Sequence, residues 1–243
     1  MNIIIKMILL ILFNSFLFSN KNTENYIIRK TNEKFNEVND YQVEMIIRVK
    51  VPAFRMPKKK YKVFYKKPNK IKIKSRGFGI LPKTGLFTSP NDNFDNLKNI
   101  TMFYDIDLKN HVILKGDLIV DSLKFDMPNE YSRIAFNPIV EVKIDTINWV
   151  IKNVTTKLDT LKLFQINNNY GIYNDKYYMP NESVVKYFIK DKKLFNWINK
   201  DASNVIGQGK DLVNKNNSIV EGTITVEYKN YKINKGIKDK IFD

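Results

Sequence analysis

The chain has 243 residues, no cysteine, a single histidine (His111) and a formal net charge of +16. This length allows one all-β domain or two small domains with a sizeable core. The lack of cysteine excludes disulfides, thiolate metal sites and a lipid-modified cysteine, and one histidine excludes most hydrolase triads. We therefore predict a binding protein rather than an enzyme, with no metal and no cofactor.

The charge is distributed unevenly along the chain. Fourteen basic and no acidic residues lie between Glu44 and Asp92, whereas ten acidic and six basic residues lie from Asp92 to Asp145. A basic block beside an acidic block could steer an anionic partner. The alternative is that strand lysines keep a solvated face soluble and protect the sheet edges.

Residues 1–20 are typical of a secretory signal. Lys6 is their only charge, and Met7–Phe13 and Phe16–Phe18 are apolar. This apolar core is short for a membrane span of about 20 residues. We expect residues 1–20 to be a signal peptide that directs export, and residues 21–243 to form one domain. Retention of the segment as an N-terminal anchor is the alternative.

Residues 24–38 predict an amphipathic helix. One side of it, with Thr31 in the middle, carries Ile27, Ile28, Phe35 and Val38. We expect this side to pack against a sheet. Adsorption to a membrane surface is the alternative for such a helix.

Residues 41–74 show the clearest pattern in the sequence. Apolar and basic residues alternate with a period of two, which predicts strands with one apolar and one wet face. Pro52 and Pro57 bracket the turn after the first strand, and Ile46 is the apolar exception on its wet face. We expect these residues to face inward: Val43, Met45, Ile47, Val49, Tyr61, Val63, Tyr65, Ile71 and Ile73. A sheet, a helix or a ligand must then cover this face.

Residues 76–87 predict a loop that is rich in apolar side chains. These are Phe78, Ile80, Leu81, Leu86 and Phe87. Because loops normally lie on the surface, they either turn into a cavity, form an exposed binding patch or cover one end of the core.

Short strand candidates recur from residue 100 onwards, separated by turn signals such as Lys115-Gly116-Asp117 and Asn167–Asn169. The candidates are Ile100–Asp105, Val112–Lys115, Leu118–Lys124, Ser132–Phe136, Val140–Ile144, Asn148–Lys157, Thr160–Asn167, Gly171–Asn174, Val184–Ile189 and Ile219–Tyr228. This pattern indicates a sheet wrapped into a sandwich or barrel. Residues 191–206 predict a second helix.

Sequence patterns that would indicate catalysis, cation binding or nucleic-acid binding are weak. Asp105 and Asp107 could act in acid–base chemistry or bind a cation, but without a calcium-binding loop or a partner histidine we interpret them as a surface pair beside a turn. Lysines interleaved with Tyr61, Phe64 and Tyr65 could bind nucleic acid. An export signal argues against that partner, so we predict no nucleic-acid binding.

Three segments resemble LolA/LolB-like lipoprotein-carrier proteins, which sort outer-membrane lipoproteins. They are KKPNKIKIKSRGFG after the alternating first strand, KYYMPNESVVKYF (Lys176–Phe188) and the C-terminal GTITVEYKNYKINKGIKDKIF (Gly222–Phe242). The resemblance implies a mostly β fold, an incomplete antiparallel β-barrel (half-pipe), with the N-terminal helix and a plug helix over an apolar cavity. It also implies an arginine that latches a lid, for which Arg48 and Arg133 are candidates.

The resemblance implies a monomeric periplasmic carrier, in a Gram-negative-type envelope, for an acylated lipoprotein or lipid. The cavity would be lined by the inward-facing residues of 41–74 and the apolar residues of the 76–87 loop. Lys72, Lys74 and Arg76 would meet an anionic head group at its mouth. The alternative is a non-carrier interaction or sensor protein that uses its basic face to contact envelope membrane proteins.

Overall fold

The structure is a computed structural model that describes residues 21–51, 54–55, 57–75, 89–119, 138–189 and 220–243. The expected signal segment, the strand Ser132–Phe136 and the second helix at 191–206 lie outside the described residues. Helix α1 spans Lys21–Phe35. The strands are β1 (Asp40–Val51), β2 (Phe54–Arg55), β3 (Lys59–Lys66), β4 (Lys70–Ser75), β5 (Leu97–Tyr104), β6 (His111–Leu118), β7 (Ile139–Asp145), β8 (Val150–Leu158), β9 (Leu161–Tyr173), β10 (Tyr177–Ile189) and β11 (Val220–Ile233).

These strands form one open antiparallel sheet that does not close into a barrel. The order across the sheet is β4-β3-β1-β11-β10-β9-β8-β7-β6-β5, and the short β2 pairs with β1. Most neighbours along the chain pair directly, and β11 returns to insert between β1 and β10. The predicted fold class, an incomplete antiparallel barrel with an N-terminal helix, is confirmed.

Two predicted turns are wrong because the strands continue through them. Gly116 lies inside β6, where a Cβ atom would come within 3.1 Å of Leu97 Cβ on β5, so glycine there allows close strand approach. Asn167 and Asn168 lie inside β9. Their amides bond to the next strand instead of forming a local turn: Asn153 Nδ2 donates to Asn167 Oδ1 at 2.8 Å, and Asn168 Nδ2 donates to Ile151 O at 3.0 Å.

The two ends of the sheet differ in their connections. At one end, here the closed end, lie the turns 67–69, 105–110, 146–149 and 174–176, together with the start of β1 and the end of β11. The longer connections after β4, β6 and β10 all leave from the opposite end, here the open end. Antiparallel pairing places successive connections at alternate ends of the sheet, and the short β8–β9 turn lies at the open end with the longer connections.

Helix α1 lies on the face of the sheet that carries the buried apolar side chains, here the inner face. It contacts β5, β8 and the 3-10 turn Pro90–Asn93. Ile27 packs with Leu114 in one apolar cluster, and Phe35 packs with the β1 side of the sheet in the other. The predicted apolar side of the helix is confirmed for Ile27, Thr31 and Phe35, which are buried, and for Ile28, which is partly buried. The helix ends at Phe35 and not at the predicted residue 38, so Val38 is buried in the segment that follows it.

Candidate functional site

The inner face of β1, β3 and β4 carries the residues that the sequence assigns to it. The buried ones are Val43, Met45, Ile47, Val49, Tyr61, Val63 and Tyr65. Ile73 is partly buried against them. Ile71 pairs with Tyr65 and shares its face, as predicted, but it is 44% exposed. The reason is its place on β4, an edge of the described sheet. The loop residues Phe78, Ile80, Leu81, Leu86 and Phe87 lie outside the described residues.

Tyrosines fill the inner face towards the closed end. The rings of Tyr41 and Tyr65 stack at 5.0 Å, and the rings of Tyr173 and Tyr231 lie 4.7 Å apart. Burial raises the pKa of Tyr228 to about 12 and raises the pKa of Tyr231 well above its usual value. Water is therefore largely excluded from this end, which is packed by the chain's own side chains.

The inner face of the middle strands is more open. Phe164 and Ile166 on β9 are only partly buried, unlike the residues of β1. Phe164 lies opposite Tyr187 of β10 in register, and Ile166 lies opposite Val185. Ile166 packs against both apolar clusters, so it marks the boundary between them. This part of the inner face leaves apolar surface available.

A buried hydroxyl lies beside this apolar surface. Thr156 on β8 pairs with Phe164 of β9 and Val140 of β7, and it is 2% exposed. Its Oγ1 finds no hydrogen-bond partner in the part of the chain that the structure describes. Buried hydroxyls are normally satisfied, because an unpaired one keeps its desolvation cost. We define Thr156, Phe164, Ile166, Val185 and Tyr187 as the mid-sheet site.

Sequence reasoning missed the mid-sheet site. The predicted strands Asn148–Lys157 and Thr160–Asn167 contain Thr156, Phe164 and Ile166, but the turn predicted at 167–169 ends the alternation before Asn168.

The predicted basic mouth does not face the apolar surface. Lys72 and Lys74 lie on the other face of β4, here the outer face, where Lys72 pairs with Phe64 in register. Lys72 Nζ donates to Asp243 O at 3.1 Å, and the ammonium groups of Lys62 and Lys74 lie 5.6 and 5.5 Å from the Phe64 ring centre. Arg76 lies outside the described residues. A head-group role for these residues stays a prediction.

The two arginine candidates for a lid latch have separate outcomes. Arg48 shares β1 with the buried Ile47 and Val49, but its side chain lies on the outer face and forms an ion pair with Glu227 of β11. The Arg48 side chain therefore lies on the outer face and does not reach the inner face. Arg133 lies outside the described residues.

The acidic residues give no metal centre in the described ranges, where no cluster of three or more potential ligands is found. Asp105 and Asp107 lie in the turn after β5, and Asp105 Oδ1 accepts a hydrogen bond from Asp107 N at 3.0 Å. Asp105 Oδ2 lies 2.5 Å from Lys143 Nζ, and this bond lowers the pKa of the carboxyl. The two residues therefore stabilise the turn, in agreement with their interpretation as a surface pair beside a turn.

Comparison with known proteins finds similarity in structure. The chain is structurally similar to proteins of the LolA superfamily. A LolA superfamily protein from Nitrosomonas europaea matches with a TM-score of 0.47 and 11% identity, over 90% of this chain and 96% of that one. An outer-membrane lipoprotein-sorting protein domain from Vibrio parahaemolyticus matches with a TM-score of 0.49 and 10% identity, over 89% and 95%. A DUF1329 family protein from Desulfovibrio piger matches with a TM-score of 0.48 and 6% identity, over 90% and 96%.

No family model matches the chain, and no curated protein matches it in sequence. The described helices do not include one that is long and apolar enough to cross a membrane.

Proposed function

We propose that the protein is a periplasmic carrier that binds an acylated ligand, a lipoprotein or a lipid, against the inner face of its sheet. The observation that carries this proposal is the mid-sheet site, where the partly buried Phe164 and Ile166 lie beside the buried Thr156 hydroxyl, which has no hydrogen-bond partner among the described residues. An acyl chain needs little more than an apolar surface, since each buried methylene contributes about 0.8 kcal/mol.

The chemistry of the site fits both parts of such a ligand. Phe164 and Ile166, which are partly buried, offer surface to the hydrocarbon chain. The Thr156 hydroxyl can donate to the carbonyl of an ester or amide that links the chain to its carrier group, which removes the cost of leaving it unpaired. The apolar residues of β1, β3 and β4 then form the wall behind the chain.

The position of the site fits loading from one end. Thr156 lies two residues before the end of β8, near the turn to β9 at the open end. The closed end is packed by tyrosines. A ligand would therefore enter from the open end and extend towards the tyrosines.

The proposal is tested with the purified chain and two tryptophan variants on one strand. Native mass spectrometry looks for co-purified lipid, and displacement of an environment-sensitive fluorophore by a diacylated lipopeptide or a phospholipid measures affinity. Ile166→Trp should fill the mid-sheet site and weaken binding by about tenfold or more. Gln165→Trp adds the same ring on the outer face and should leave the affinity unchanged.

Failure of the wild-type chain to bind any acylated ligand would end the carrier proposal. It would leave the alternative of an interaction protein that uses its basic face. An equal loss of affinity in the two tryptophan variants would show that the ligand does not bind at the mid-sheet site.

A further inference from the structure

Two turns at the closed end are joined to each other. The β5–β6 turn (residues 105–110) and the β7–β8 turn (residues 146–149) lie side by side, because β6 pairs with β7 up to His111 and Asp145. The backbone N–H and the Oγ1 of Thr146 both donate to Asn110 O, at 2.9 and 2.8 Å. The two turns therefore form one unit.

Apolar side chains are concentrated on this unit. Eight large apolar or aromatic side chains are exposed in the described ranges, and five of them belong to these turns or the strand end next to them. The five are Phe103, Tyr104, Ile106, Leu108 and Ile147, which we call the apolar tip. Ile106 is 99% exposed and Ile147 is 67% exposed, so they project from the surface instead of lining a groove.

Two carboxylates near the tip are engaged inside the turns. Asp105 accepts a hydrogen bond from Asp107 N and pairs with Lys143. Asp145 Oδ1 accepts from Ile147 N at 2.9 Å and from Asn148 N at 3.1 Å. These bonds fix the backbone that presents Ile106 and Ile147, whereas Asp107 is exposed between Ile106 and Leu108.

An aromatic and basic border lies beside the tip. Tyr26 of α1 packs edge-to-face on Trp149 of the β7–β8 turn, with ring centres 5.9 Å apart. Arg29 and Lys30 approach the Tyr26 ring at 5.7 and 5.9 Å. Tyr and Trp beside projecting aliphatic residues and cations are the composition of a membrane–water interface, where the rings lie at head-group level.

We propose that the apolar tip inserts into the surface of a lipid bilayer. The occupant fits on two grounds: the isoleucines project outward, and the border is aromatic. Arg29 and Lys30 both pair with Glu33, and most of the tip lies in the acidic block of the sequence, so the apolar and aromatic side chains carry the interaction. The tip is at the closed end, so a protein docked in this way directs its open end away from the bilayer. The proposal does not depend on the carrier function, because the tip and the mid-sheet site share no residue.

The test uses vesicles of phosphatidylcholine and phosphatidylglycerol in a ratio of about two to one. The wild-type chain should float with these vesicles in a density gradient, and Ile106→Ser with Ile147→Ser should lower the partition coefficient by about tenfold or more. Both side chains are exposed, so the double variant should keep the wild-type melting temperature. Ile172→Ser removes another exposed isoleucine, on β9 and in neither turn, and should float as the wild type does.

Three outcomes would overturn the proposal: no flotation of the wild type, undiminished flotation of the double variant, or an equal loss in Ile172→Ser. If the wild-type chain forms an oligomer in the absence of vesicles and the double variant does not, the tip is a protein contact instead. Moderate salt should leave the flotation largely unchanged, because an apolar interaction is not screened.

Discussion

Asn234 accepts a hydrogen bond from the backbone N–H of Asn39 at 2.7 Å, and thereby joins the two ends of the domain. Its Oδ1 also accepts from Asp40 N at 3.2 Å, and its Nδ2 donates to Glu37 O at 3.0 Å and to the Tyr177 hydroxyl at 3.0 Å. One amide thus connects the end of β11, the segment after α1 and the β9–β10 hairpin. It fixes where the helix enters the sheet.

We predict that Asn234→Ala lowers the free energy of unfolding by about 1–3 kcal/mol, because four hydrogen bonds, three of them part-buried, are lost at once. Asn230→Ala is the matched control. Both residues have a positive φ, +53° and +56°, so the cost of placing alanine in the left-handed region is the same. Asn230 donates only to Glu44 at the surface. Equal urea midpoints for the two variants would contradict a bonding role for Asn234.

The facing of β1 gives a second prediction. Ile47 is buried on the inner face, whereas its neighbour Ile46 is half-buried on the outer face. Ile47→Ser should cost about 3–5 kcal/mol, because it leaves a cavity and a buried hydroxyl. Ile46→Ser should cost about 1 kcal/mol. Urea unfolding of the two variants measures both costs, and a reversed order would show that the register is shifted by one residue.

The sequence predicts the fold where its alternation is strict. Ile47 and Val63 are buried as the period of two requires, and Ile27 and Phe35 are buried as the helical period requires. Such positions are decided by local pattern and burial alone. The same pattern predicts the facing of Ile71 but not its exposure, because exposure there depends on the strand being at an edge of the described sheet.

The mid-sheet site could not be predicted in the same way. Asn167 and Asn168 favour turns locally, and only the amide bonds to Asn153 and Ile151 on the next strand stabilise them in extended form. The importance of Thr156 depends on a missing partner, which is a property of the folded molecule. The apolar tip likewise depends on two turns that lie 36 residues apart and meet only through the sheet.

The buried tyrosines predict a loss of stability at alkaline pH. Burial raises the pKa of Tyr228 to about 12, against a small lowering by its bond to Ser183, and burial with neighbouring tyrosines raises the pKa of Tyr41 and Tyr231. Each phenol is neutral in the folded protein and ionises near pH 10.0 in the unfolded chain. Their contribution is therefore fully present below pH 10 and is lost as the pH rises towards 12.

The alkaline loss can be measured by urea unfolding between pH 9 and 12, with phenolate absorbance recorded in parallel. Tyr228 alone should account for about 2–3 kcal/mol of the loss. Tyr228→Phe should make the decline shallower. A phenolate signal that reaches its unfolded value while the protein stays folded would contradict the exclusion of water from this end.

The last prediction concerns Thr156. If its hydroxyl has no partner among the described residues and bonds a ligand instead, it should lower the stability of the empty protein and raise the affinity for the ligand. Thr156→Val replaces a buried group without a partner by an apolar one of the same shape. It should raise the free energy of unfolding of the empty protein by about 1–2 kcal/mol. The same change should weaken binding of an ester-linked lipid by about tenfold, since the ligand carbonyl loses its donor.

Thr155→Val is the control on the same strand. Thr155 is also buried, but it faces the other way, and its Oγ1 donates to Asn153 Oδ1 at 2.9 Å. This variant should lose about 1 kcal/mol of stability and keep the wild-type affinity. Thermal unfolding without ligand, combined with fluorophore displacement by a diacylated lipid, separates the two effects. If Thr156→Val instead lowers stability as Thr155→Val does, its hydroxyl has a partner within the protein and does not await a ligand.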